Sequence, residues 1–232
     1  MKVIGEGLVK AFYLLIHGDP EVLRVTWLTL RVSGSATLIS ILIGIPIGLL
    51  LALIRFPGRR ILISLINTGM GLPPVVVGLW VSIFLWRYGP LGRLGLLYTP
   101  TAMVIAQSVI AVPVVAGFTL AGIGQLSPKL TLQIMALGAN RWQTWWLLVR
   151  EARLSILAAI IAGFGSVISE VGASQMVGGN ILGETRVLTT ATVMEVSKGN
   201  YDVAIAISVI LLLLSYGVTL ILTLLQHRGR PS

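Results

Sequence analysis

Five long apolar stretches separated by short polar segments organise the chain: about Val32–Ile54, Ile61–Trp86, Ala102–Ile123, Leu154–Gly178 and Val203–Leu225. Each is near the ~20 residues with which a helix crosses a bilayer core of ~30 Å. The pattern predicts an all-α, polytopic membrane protein of about five transmembrane helices. Its connecting loops are short, so it also predicts a single transmembrane domain over residues 1–232. Residues 1–22 mix Lys2, Glu6, Lys10, Asp19 and Glu21 with an apolar patch, Ala11 to Ile16, that is too short to span. They read as an interfacial segment. Lys2 is followed by no long apolar core and no convincing small-residue cleavage site, which argues against a signal peptide.

Within the spans, the departures from plain apolar sequence carry the information. The first holds Gly44-Ile-Pro-Ile-Gly48, which permits close helix contact and a kink, or reflects only how common Gly and Pro are in membrane helices. Arg55, Arg59 and Arg60 close it. In the second, Gly69, Gly71, Pro73 and Pro74 predict a broken or strongly kinked helix, because two backbone donors are missing where no water replaces them. Irregular backbone at membrane depth is tolerated where it is buried in protein or lines a cavity, so Pro73 and Pro74 are candidate walls of a pathway. Trp80 and Trp86 suit an interfacial anchor at its far end. The third span carries Pro113, and the fourth is rich in small residues and holds Glu170.

Composition sharpens this picture. At 56% hydrophobic and 11% charged, the chain is far from the ~25% charged residues of a soluble domain. There is no cysteine, which removes thiolate chemistry and disulfides. The net charge of +9 points to cytoplasmic loops and lipid head groups rather than nucleic acid, since no aromatic-basic binding motif accompanies it. The tail 226–232, with His227-Arg228-Gly229-Arg230, suggests a cytoplasmic C-terminus, and five spans then put the N-terminus outside. That topology places nine of the 17 Lys and Arg inside, a narrow majority, with Glu151 the only acid beside them.

The segment 124–153 is polar and distinctive. Ser127-Pro128 is a helix start, Gly138 can end that helix, and Asn140 can cap the next. The segment therefore reads as helix, tight turn, helix. In the second helix Trp142, Trp145, Trp146 and Val149 fall at i, i+3, i+4 and i+7 and predict one apolar face. Such a face suits either an aromatic interfacial anchor or docking into a groove on a cytoplasmic protein.

Here the sequence resembles the inner-membrane permease subunits of bacterial and archaeal ATP-binding-cassette importers. Met135-Ala-Leu-Gly-Ala-Asn-Arg-Trp142 looks like the centre of their cytoplasmic EAA loop, with Gly138 as the family glycine. Leu132-Gln133-Ile134 replaces the family's Glu-Ala-Ala, and Arg150-Glu151 stands where Leu-Pro is expected. A second stretch, Ser169-Glu-Val-Gly-Ala, Met176-Val-Gly-Gly-Asn180 and Thr185-Arg-Val-Leu-Thr-Thr-Ala191, is similar to permeases of the molybdate, tungstate and sulfate branch and closest to the tungstate type. The resemblance implies a type I ABC importer transmembrane domain in the plasma (inner) membrane. It also implies a translocation path at the interface with a second copy, two cytoplasmic ATPase subunits and an extracytoplasmic oxyanion-binding protein. It makes Ala136, Leu137, Gly138, Ala139, Asn140, Arg141 and Trp142 the coupling turn. The chain holds no G-x-x-x-x-G-K-[ST] loop, so ATP hydrolysis is expected in a partner and the chain is not expected to be an enzyme.

For a dehydrated oxyanion, hydroxyls and backbone N–H groups are suitable partners that do not trap the ion. Ser166, Ser169, Ser174, Gln175, Thr189 and Thr190 are candidates of that kind, with ordinary interhelical hydrogen bonding as the plainer role. Glu170 has the wrong sign for an anion path, so a structural or gating role, bonded to nearby Ser or Arg groups, is expected of it. Arg186 suits an outer anion attractor or a partner for Glu184 or Glu195. His17 and His227 have no companion at ligand spacing, so no metal site is expected, nor any cofactor. A secondary transporter driven by an ion gradient is the alternative; it predicts further buried carboxylates or a His relay, and an internal repeat.

Overall fold

The computed structural model describes residues 2–228, so Gly229 and Arg230 of the basic tail lie outside the described residues. Among the described residues the secondary structure is helical throughout. Helix α1 (Lys2–His17) stops at Gly18, whose φ of 61° is left-handed. Asp19 then caps α2 (Pro20–Leu53), accepting from the N–H groups of Glu21 and Val22 at 3.0 Å each, with Pro20 in the first helical position. Helix α1 thus ends within the segment 1–22 that is expected to be interfacial, and α2 begins there. Gly7 lies against Ile205 and Lys10 Nζ is 2.7 Å from Asp202, so α1 runs antiparallel along α11 (Tyr201–Arg228), leaving Val9, Phe12 and Ile16 exposed.

At 34 residues α2 is about 51 Å long and begins well before the predicted Val32. Arg24 and Arg31 obscure the continuation in hydropathy, but Val22, Val25 and Val32 keep helical spacing, and Val22 and Val25 pack with Leu188 and Ile210. The Gly44–Gly48 pattern makes a close contact with α5 (Pro100–Gly124). A Cβ at Gly44 would lie 2.9 Å from the Val112 carbonyl oxygen, and one at Gly48 only 2.5 Å from that of Ala116. Helix α5 is the central post, packed against α2, α8 and α3.

The second predicted span is broken. Helix α3 (Arg59–Met70) ends at Gly71, and α4 (Pro74–Leu85) leaves at 104° to it. A short 3-10 turn, Gly92–Leu94, leads to α5. Helices α6 (Pro128–Ala136) and α7 (Arg141–Glu151) follow, and α8 (Arg153–Ile168) turns 66° from α7. The fourth predicted span requires correction. It does not run unbroken to Gly178: α8 ends at Ile168 and a separate short helix, α9 (Gly172–Gly178), follows Ser169–Val171. Gly165, Gly172 and the small residues around them provide little side-chain packing to hold a continuous helix, and α9 packs on α4 instead of extending α8. Helix α10 (Leu188–Ser197) and α11 complete the chain. By length and composition α2, α5 and α11 each suffice to cross a bilayer, and counting each bent pair, α3–α4 and α7–α8, as one span gives five.

Candidate functional site: two helix breaks and a projecting turn

The breaks at Gly71–Pro73 and Ser169–Val171 meet. A Cβ on Gly172 would lie 2.6 Å from Val75 Cγ2, and one on Gly78 2.7 Å from Ala173 Cα, so α4 and α9 touch nearly backbone to backbone. The Ser82 hydroxyl donates to the Met176 carbonyl at 3.3 Å across the same seam. Pro73 caps α4 with extended backbone and Pro74 starts it, as a residue without an N–H can.

Glu170 is buried in the second break. Its Oε1 accepts the Ala173 N–H at 2.7 Å, and its carbonyl accepts the Thr189 hydroxyl at 3.0 Å. Its partners are a backbone N–H and a threonine rather than the Ser or Arg groups expected of it. A carboxylate at the start of α9 satisfies a donor that the break would leave open. Beside it, Gln107 on α5 donates from Nε2 to the Ser174 hydroxyl at 3.0 Å. Gln107 is almost fully buried, and its Oε1 meets no partner. Sequence reasoning passed over Gln107, although an amide amid the apolar run Met103 to Ile110 is the kind of membrane-depth polar residue that marks function.

The other path candidates are distributed unevenly. Thr189 and Ser174 join Glu170, whereas Ser166 lies one turn earlier on α8 and donates to Gly163, and Ser169 donates to Gly165. Thr190 closes the start of α10, its hydroxyl paired with Val187. Gln175 is exposed beside the seam. In this conformation the hydroxyls of Ser166, Ser169, Thr189 and Thr190 are all engaged by backbone carbonyls.

At one end of the molecule the α6–α7 segment projects. The Ser127 hydroxyl caps α6 by accepting from Lys129 N–H, and Gly138 makes the turn with φ 82°. Asn140 and Gln143 form a reciprocal capping box, each bond 2.9 Å. Residues Ala136 to Gly138 and Asn140 to Trp142 are exposed, Leu137 at 88% and Trp142 at 77%. The predicted Trp face is corrected in one respect. The inward side of α7 is Thr144 and Leu148, with Trp145 and Val149 partly covered, whereas Trp142 and Trp146 point outward. Thr144 is buried because its hydroxyl is taken by the Asn140 carbonyl at 3.0 Å, which lets its methyl pack inward. The projecting segment therefore exposes three large apolar side chains, Leu137, Trp142 and Trp146.

At the opposite end, ion pairs tie the elements together. Lys10 meets Asp202, Lys198 and Asn200 both donate to Glu195 at 2.8 Å, and Arg186 lies 3.5 Å from Glu21. Glu21 is thus an ion-pair partner of Arg186 that was not expected of it, while Glu195, one of the expected partners, lines the same pocket and feels its charge.

Comparison with known proteins places this geometry. The family described as "binding-protein-dependent transport system inner membrane component" matches residues 44–230. A tungstate uptake system permease protein of Peptoclostridium acidaminophilum is 38% identical over 227 residues, 98% of this chain and all of that one. A probable anion ABC transporter permease of Haloferax volcanii is 42% identical, covering 84% of this chain and 86% of its own. The molybdenum transport system permease ModB of Escherichia coli is 30% identical over 87% of this chain and 94% of that one. Among solved structures, the inward-facing MetNI methionine ABC transporter superposes with a TM-score of 0.78 at 21% identity over 92% of this chain and 99% of that one, a likeness of fold.

Proposed function

The chain belongs to the family of binding-protein-dependent transport system inner membrane components, and from that premise we propose that it is the membrane-spanning permease of an ATP-driven oxyanion importer, with tungstate as substrate. The whole-length similarity to a tungstate uptake permease is the observation that carries this reading. In it, two copies of the chain form the path between them, and the α6–α7 turn faces the cytoplasm and receives two ATPase subunits. An extracytoplasmic protein delivers the anion to the opposite end. ATP hydrolysis belongs to the partners; this chain contributes the path and the lever. Exposed apolar side chains on a rigid capped turn suit helix-in-groove docking, and a rigid-body pull on that turn reaches both breaks through α8.

The ion-gradient alternative is not favoured: among the described residues Glu170 is the one acid within the predicted spans, and its carboxylate is engaged by the Ala173 N–H.

The test is ATP-dependent uptake of labelled tungstate by vesicles carrying the complete complex. Gly138→Val places a β-branched residue at φ 82°, and uptake is expected to fall to background while the subunit stays inserted and monodisperse. Normal uptake would sink the assignment of the turn. Competition by sulfate as strong as by unlabelled tungstate would overturn the substrate.

A further inference from the structure

An apolar groove of about 530 Å³ runs along α2, α3 and α5, between Leu50, Leu62, Leu65, Ile66 and Pro113. It extends about 10 Å along α3, from Leu62 to Gly69. No charged side chain lines it. Beyond its end at Leu51 and Leu62, on the side of α7, the chain carries three arginines. Arg59 donates from Nε to the carbonyl of Leu51, a residue of the groove wall, at 2.6 Å; Arg60 beside it is exposed, and Arg55, also exposed, lines the adjoining groove with Trp142 and Trp145. Residues 44–72 contain no Asp or Glu to offset them.

We propose that this groove is a binding site for an anionic phospholipid of the leaflet on the α6–α7 side, with an acyl chain between α2, α3 and α5 and the phosphate held by Arg55, Arg59 and Arg60. Charge complementarity selects this occupant. A second copy of the chain, or a zwitterionic lipid, would satisfy the apolar walls but leave the three arginines at that end without an anion. Basic pockets between membrane helices bind such head groups, each Lys or Arg adding to the attraction. The site lies beside the contact of Gly69 with Pro113, directly before the break in the second span, so a seated chain would support α3 where it leans on α5.

Native mass spectrometry of the full-length chain tests this, after reconstitution in nanodiscs with equimolar phosphatidylglycerol and phosphatidylcholine of identical acyl chains and mild extraction. Phosphatidylglycerol is expected to be retained in preference. The double variant Arg55→Gln, Arg60→Gln, which spares the Arg59 contact, is expected to weaken that retention by about 30-fold. Leu65→Trp, at a 61% exposed position, is expected to displace lipid of either head group without altering the size-exclusion profile. Equal retention of the two lipids overturns the proposal, as does retention indifferent to both changes. Disulfide-linked dimers through Leu65→Cys would assign the groove to a second copy instead. Should the arginine variant prove unstable, Leu65→Trp decides alone.

Discussion

Glu170 shows how an acid in an apolar span can act as a hydrogen-bond acceptor at a helix break. Its carboxylate closes the start of α9, so what the position requires is an acceptor at 2.7 Å from the Ala173 N–H rather than a charge. Glu170→Gln keeps that acceptor and is expected to preserve both fold and uptake. Glu170→Ala leaves a buried N–H open and is expected to cost about 1–3 kcal/mol, read as a lower unfolding midpoint in detergent. If Gln proves as damaging as Ala, the charge itself is needed. Gly48 makes a second test, because a side chain there meets the Ala116 carbonyl at 2.5 Å rather than a flexible neighbour. Gly48→Val is expected to destabilise the α2–α5 contact by about 1–3 kcal/mol in the same measurement. Glu170 stood out in the sequence as the lone acid in a span, yet its partners did not. They depend on the break after Ile168, and a seven-residue helix is too short to leave a periodic signal.

Among the elements, those fixed by local chemistry are the ones that sequence reading places well. Ser127-Pro128, Gly138 and Asn140 act within four residues of themselves, and the structure has α6, its turn and α7 where those signals put them. The face of α7 was less legible because helical spacing fixes which residues share a side but not which side the neighbours cover. The turn from α10 to α11 is held by Glu195, whose carboxyl is kept below the usual glutamate range by hydrogen bonds from Lys198 and then Asn200. A depressed folded value means that this support is fully present above the ordinary pKa of about 4.3 and is lost as pH falls through the lowered value. Hydrogen exchange at Lys198 to Asn200 is therefore expected to accelerate on acidification below that range relative to the rest of α10. Glu195→Gln is expected to remove the pH dependence while leaving the turn partly protected.

For the whole molecule the question is which apolar surface meets protein and which meets lipid, and hydropathy cannot answer it. Helix α4 exposes Val75, Val76, Leu79 and Ile83, and α11 exposes Leu212, Leu213, Tyr216 and Ile221, two surfaces of the same character. In a bilayer both are acceptable to acyl chains, because lipid is as apolar as leucine. Backbone separates them. Gly71, Leu72 and Pro73 are exposed and non-helical beside α4, and irregular backbone at membrane depth requires protein or a water-filled cavity over it. The α11 face is unbroken helix and carries no such requirement. In the proposed dimer the α4 side therefore faces the second copy, and a two-fold axis there brings equivalent residues together. The chain is free of cysteine, so single introduced thiols report this without background. Leu72→Cys, Val76→Cys and Leu79→Cys are expected to include at least one variant that forms a disulfide-linked dimer in native membranes under mild oxidation, whereas Leu213→Cys is expected to remain monomeric on a non-reducing gel. Crosslinking through Leu213 with none through the α4 series would place the interface on α11 and remove the helix breaks from the path. That exchange would also separate the proposed coupling turn from the path it is proposed to move, since the 66° corner from α7 into α8 leads to the Glu170 break and the α4–α9 seam.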